Sequence, residues 1–243
     1  MSAAVIICEA LALLLCVASA ALPRYSYRLL WAAWCCGAVL LGLNAALAES
    51  LPFGNMRHVL CFFPLVMAPA AYYLRHAHGE ELSRWLAAAA AVALTGALCM
   101  PLQAAWRPMP ALKSPWFAPH VTSYVVAYGL LAVSALLVCR RGEEALRRAA
   151  LVVRVAFPFL TFGLASGALW ADDAWGRYWG WDIKEAWSLL TWLVYAAWFH
   201  LRHEPAFHGW RRPLLLLGFA CVVITFLIVN FLPSVNSLHS YAN

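Results

Sequence analysis

Apolar runs long enough to cross a hydrocarbon core ~30 Å thick recur along this chain, at about 3–22, 29–48, 58–74, 85–105, 121–139, 149–170, 185–201 and 213–232. Backbone placed in lipid must satisfy its own N–H and C=O groups, so only helices and closed barrels can span a membrane. Runs of this length and continuity specify helices. The expected fold is all-α: a polytopic integral membrane helix bundle of about eight transmembrane helices. Hydrophobic residues make up 65% of the chain and charged ones 12%, which excludes a water-soluble domain of ordinary composition.

The first run has features of a secretory signal, because Ala18-Ser19-Ala20 resembles a cleavage site. Met1-Ser2-Ala3 offers no basic residue, however, and Glu9 interrupts the apolar stretch, so a retained helix is expected. Alternate loops divide the basic residues unevenly. Arginines 24, 28, 75, 84, 140, 141, 147, 148, 202, 211 and 212 fall on one side, against Arg57, Arg107, Lys113, Arg177 and Lys184 on the other. The positive-inside rule places the richer set in the cytoplasm and both termini outside. These loops account for the net charge of +6, so no nucleic-acid partner is implied. The eight cysteines lie almost wholly in apolar runs without a C-x-x-C pair and read as small buried hydrophobes. Residues 1–48 are expected to form two N-terminal helices, and 49–243 a single membrane core.

Between two runs lies Trp175-Gly-Arg177-Tyr178-Trp179-Gly-Trp181-Asp182-Ile-Lys184-Glu-Ala-Trp187, four indoles within thirteen residues and with both charge signs. Indoles supply rigid, flat apolar area with one N–H each. They also gather in interfacial belts around membrane helices, but belts seldom concentrate so many rings with an aspartate in one loop. The segment therefore suits a flat aromatic ligand.

Of eight histidines, His76, His78, His203 and His208 fall in short cytoplasmic connections and read as solvated, and His58 reads as a surface residue, with an additional ligand as its alternative. His120 and His239 share the outward face with the tryptophan segment. Two imidazoles beside a flat platform suit the axial positions of a haem iron. Asp182 can orient an N–H of that platform, and Arg177 or Lys184 can pair with haem propionates. Asp182, Lys184 and Glu185 equally suit the first turn of the next helix, where carboxylates complement the dipole. His200 ends an apolar run about 20 Å below Trp187 at helical rise, a depth at which ionisable residues tend to mark pathways, although a histidine this near a helix end can also snorkel into the cytoplasmic interface.

The whole resembles a CcsA/ResC-type subunit of the system II cytochrome c biogenesis machinery, in the WWD haem-handling superfamily, over roughly residues 50–243. Residues 175–192 carry the tryptophan-rich signature, with the loop spanning 171–187. Ser114-Pro-Trp-Phe-Ala-Pro-His120-Val and Ser237-Leu-His239-Ser-Tyr-Ala resemble the segments holding the external haem ligands, and Tyr195-Ala-Ala-Trp-Phe-His200 the one holding a transmembrane histidine. Where that family reads Pro-x-x-Asn-Met-Tyr-Glu, this chain has Asn55-Met56-Arg57-His58. The resemblance implies haem b presented on the outer face of the bacterial inner membrane and joined by thioether bonds to the CxxCH segment of an apocytochrome c. Catalysis would come from positioning by Trp175, Trp179, Trp181 and Asp182, with no acid or base side chain. The chain would be a cytochrome c haem lyase subunit working with a CcsB/ResB-type membrane partner. The alternative is a CcmC-like protein that hands haem to a chaperone without ligation.

Overall fold

The structure, a computed structural model, describes residues 2–48, 52–53, 55–101 and 110–229. These residues form helices and their connections, with no strand among them. They fall into two compact units, Met1–Lys113 and Ser114–Asn243.

The first unit holds α1 (Ser2–Ala21), α2 (Ser26–Ala48), α3 (Met56–Cys61), α4 (Phe63–His78) and α5 (Ser83–Leu98). The second holds α6 (Phe117–Val138), α7 (Glu143–Trp175), α8 (Ile183–Leu201) and α9 (Arg211–Val223), the last continuing as a π turn over Ile224–Ile228. Among the described residues, six spans are long and apolar enough to cross a membrane: 3–21, 26–47, 56–78, 117–138, 143–175 and 205–228. The runs near 85–105 and 185–201 are helical too, but α5 has only 16 residues and α8 carries Lys184, Glu185 and His200 among its 19. A chain with this many apolar helices is a multi-pass membrane protein.

In the first unit α1 packs on α2 and α5, and short polar contacts stitch the helices together. Ser19 Oγ donates to the Ser26 carbonyl (2.8 Å) and Ser83 Oγ to Ser26 Oγ (2.8 Å). Glu9 is fully buried and meets the guanidinium of Arg57, which is 6% exposed and also donates to the Met100 carbonyl. His58 follows on α3, where its backbone N–H is accepted by the Asn55 side chain (2.8 Å). The expectation of a surface histidine is corrected here, since His58 is 7% exposed. The ion pair draws its segment inward, and His58 goes with it. The cysteines also depart from expectation. Cys16, Cys61 and Cys221 are buried, but Cys35, Cys99 and Cys139 are exposed, because a small apolar thiol is as comfortable against lipid as in a core.

The second unit is organised by α7. Its 33 residues span about 50 Å at 1.5 Å per residue, well beyond the hydrocarbon thickness, so both ends project. Glu144 pairs with Arg147 and Arg148 (2.8 Å each) at the start, and Glu143 and Glu144 complement the dipole there. The other end carries Asp172, Asp173 and Trp175 out of the apolar stretch. Phe157 of α7 stacks on Trp192 of α8 (5.6 Å, 28°), whose Nε1 donates to Thr161 Oγ1 (2.9 Å).

Removing one member of the buried ion pair strands the other. Arg57→Met should lower stability by about 3–5 kcal/mol, seen as an earlier thermal unfolding midpoint in detergent, and adding Glu9→Met should recover most of the loss. A double variant no more stable than Arg57→Met alone would show that the pair is not what holds α1 to α3.

Candidate functional site

α6 and α7 are antiparallel neighbours, so the start of α6 lies beside the last turns of α7. His120, one turn into α6, donates from Nδ1 to the carbonyl of Gly163 (2.8 Å). A carbonyl can only accept, so Nδ1 carries a proton, and a backbone carbonyl in this position is what orients an imidazole that binds a metal. The ring stacks on Trp170 (5.5 Å, 22°) and meets Tyr124 edge-on (4.9 Å, 89°). It fits because residue 167 is glycine. A Cβ there would stand 2.6 Å from both Nδ1 and Cε1.

Trp170 is 1% exposed and touches Phe117 (5.4 Å) and Trp175 (4.8 Å, 65°). A continuous path of rings thus runs from His120 through Trp170 to Trp175, where the tryptophan loop begins. Gly176, left-handed at φ 71°, closes α7 by donating to the Asp172 carbonyl (2.8 Å). Ser114 Oγ donates to Asp173 (2.7 Å), tying the residues ahead of α6 to this end of α7. The Asp172 carboxylate beside the Tyr178 phenol raises its pKa, by holding the phenolic proton and then by its charge.

The loop then turns sharply into α8. Asp182 is the N-cap: its carboxylate accepts from the Lys184 N–H (2.9 Å), while Glu185 reaches back to the N–H groups of Asp182 (3.1 Å) and Gly180 (2.8 Å), completing a capping box. Of the two roles weighed for Asp182, the helix-capping one is visible directly. Trp181 is held at φ 56° with 72% of its surface exposed. A bulky residue in the left-handed region costs of order 1–2 kcal/mol, and such strain persists only where the surroundings over-determine it. Trp179 meets Trp181 at right angles (5.8 Å, 87°), and its Nε1 is buried without a hydrogen-bond acceptor among the described residues. Arg177 folds back over Gly180, its Nε 2.9 Å from where a Cβ would sit. Lys184, just ahead of the apolar part of α8, has its pKa pushed down to about 8 by burial, with Asp182 pulling it back up. Trp187 lies half-buried one turn further on.

Trp175, Arg177, Tyr178, Trp179, Trp181, Asp182 and Lys184 therefore share one loop, and His120 joins them through Trp170. His200 does not. It sits near the far end of α8, exposed, on the face turned away from the buried Tyr195 and Trp198. His239 lies outside the described residues. Sequence reasoning passed over Trp170 and the two glycines that seat the α6 rings, although Gly163-x-x-x-Gly167 is the spacing by which membrane helices approach closely.

The sequence matches the family described as cytochrome C assembly protein over residues 27–236. The chain belongs to that family. It is 30% identical to cytochrome c biogenesis protein CcsA from a Synechococcus strain over 83% of each chain. Against CcsA of Guillardia theta it is again 30% identical, over 84% of this chain and 80% of the relative. A 92-residue stretch, 37% of this chain and 26% of the relative, is 49% identical to CcsA of Gloeobacter violaceus. The fold resembles the solved structure titled cytochrome c heme lyase CcmF, with a TM-score of 0.67 at 16% identity, covering 91% of this chain and 46% of that one. The chain thus spans just under half of that protein's length, and the likeness is one of fold.

Two measurements check the loop. Asp182→Ala should cost ~1 kcal/mol of stability through loss of the cap, whereas Asp182→Asn should cost little, both read from thermal unfolding; equal losses would reject the capping role. For Lys184, both states hold the proton below pH 8 and the burial penalty is present in full. Between about 8 and the ordinary 10.5 the unfolded chain binds more protons than the folded one, so stability should rise with pH across that window. Lys184→Met should flatten that rise, and an unchanged profile in the variant would assign it to other groups.

Proposed function

We propose that this chain is the haem-presenting membrane subunit of a cytochrome c haem lyase. Haem b is its substrate, held flat against the tryptophan loop, with His120 supplying one axial nitrogen. The observation that carries this reading is the His120 Nδ1 to Gly163 carbonyl bond at 2.8 Å, since a backbone carbonyl that holds one ring nitrogen fixes the plane of the imidazole beside an aromatic path. The CcsA relatives give the reading its context.

The other residues fit such a substrate in stated ways. The buried Nε1 of Trp179 is an unused donor suited to a carboxylate, and Arg177 and Lys184 are the cations nearest to it in the loop. His239 would supply the second axial nitrogen; α9 runs back toward the loop end and brings the described chain to Val229, ten residues before it. His200, exposed near the far end of α8, would serve a second haem position nearer the cytoplasm, completed across the boundary with a CcsB/ResB-type partner. In the bacterial inner membrane the loop and both termini would face outward, where the apocytochrome arrives.

The reaction needs positioning more than proton chemistry. Each thiol of a CxxCH segment adds across one haem vinyl group: the new bond joins sulfur to carbon, and hydrogen goes to the neighbouring carbon without net oxidation. Trp175, Trp179 and Trp181 would hold the ring so that its vinyl edges face the incoming peptide, and Asp182 would hold the loop. The histidine of that peptide would displace one protein ligand, which loosens the product.

His120→Gly should abolish or shift the haem absorption bands of the purified complex, and added imidazole should restore them. Gly167→Ala, which leaves His120 in the sequence but removes its space, should weaken ligation in the same direction. Normal spectra from both variants would remove His120 from the iron. Reconstitution with apocytochrome alone separates ligation from a delivery role, because a protein that only hands haem to a chaperone should yield no thioether product.

A further inference from the structure

The end of the second unit opposite the tryptophan loop is built around one arginine. Arg212, at the start of α9, donates to the carbonyls of Val138 (2.8 Å), Arg140 (2.7 Å) and Gly142. Helix α6 ends there, and its last carbonyls have no partners within the helix. A guanidinium thus closes the C-terminus of α6 and places a positive charge at the negative end of its dipole. Beside it opens a cleft of about 420 Å³, lined by Arg140, Arg141, Arg212, Gly142 and Glu143 with the last residues of α6.

The charge balance here is lopsided. Segments 138–148 and 201–212 carry seven arginines against three glutamates. Glu144 is taken by Arg147 and Arg148, and Glu143 lies 3.8 Å from Arg211. Arg212 spends its hydrogen bonds on neutral carbonyls, and no carboxylate pairs with it or with Arg141 among the described residues, so the cleft keeps uncompensated positive charge.

Its depth in the membrane is marked by the aromatic residues around it. Trp210 is 59% exposed immediately before α9, and Trp198 donates from Nε1 to the Arg211 carbonyl (3.0 Å). Exposed tryptophan of this kind sits at headgroup level. Two residues before the cleft, Leu136 is 41% exposed on the apolar flank of α6, so lipid-facing surface continues directly from the charged opening.

We propose that this cleft seats the phosphate of an anionic membrane lipid, with Arg141 and Arg212 facing the headgroup and the acyl chains lying along α6. The arrangement joins α6, α7 and α9 through one ligand at the end of the unit opposite the tryptophan loop, away from His120. It stands whether or not the haem reading does.

Native mass spectrometry of the full-length protein in detergent, supplied with phosphatidylglycerol or phosphatidylcholine, tests it. Phosphatidylglycerol should be retained preferentially. Arg141→Gln should reduce that retention about fivefold and Arg141→Glu further, with phosphatidylcholine retention and the lipid-free unfolding midpoint unchanged. Equal retention of the two lipids, or retention of phosphatidylglycerol unaltered in both variants, would overturn the proposal. Release of bound phosphatidylglycerol by millimolar inorganic phosphate would overturn the lipid assignment by making the cleft a site for soluble anions.

Discussion

An imidazole wedged between α6 and α7 is the contact from which the rest of the candidate site takes its geometry. His120 has one nitrogen committed to the Gly163 carbonyl, one face against Trp170 and one edge against Tyr124. None of these would be possible with a methyl group at position 167. Because Trp170 also touches Trp175, the histidine and the beginning of the loop are placed by the same buried ring. The ring sits in the apolar interior, where packing tolerates little displacement.

Length does the remaining work. A helix of 33 residues cannot be contained in the hydrocarbon, so α7 delivers both of its ends to the interfaces and two different chemistries develop there. At one end acidic residues meet a hydroxyl and a phenol, through Ser114 with Asp173 and Tyr178 with Asp172. At the other, arginines dominate and α6 is closed by Arg212. The capping box of α8 then returns the chain into the membrane from a loop whose shape demands a left-handed tryptophan.

Much of this is legible in the sequence, for a simple reason. Burial in lipid leaves a long-range signal in composition, so a helix lies at every apolar run, and the aromatic loop stands out by density alone. What was not legible depends on partners distant in sequence. The run at 58–74 is divided at Phe62 into α3 and α4, and nothing in its hydropathy marks the break. α7 extends beyond its apolar run at 149–170 because Glu144 with Arg147 and Arg148 sustains its start, and because the helix does not close until Gly176. His58 is buried because Glu9, nearly fifty residues away, neutralises Arg57. Trp170 reads as an ordinary core residue until the ring stacked on it is known to be His120.

The Glu9–Arg57 pair bears on how the polypeptide enters the bilayer. A lone glutamate or arginine within a membrane span is costly, and the two residues are separated by all of α2. During synthesis α1 emerges first with its carboxylate unmatched. Its final seating must then wait until α3 arrives with the guanidinium. The packing of α1 is therefore coupled to that of α3 across the whole of α2, through one charge pair.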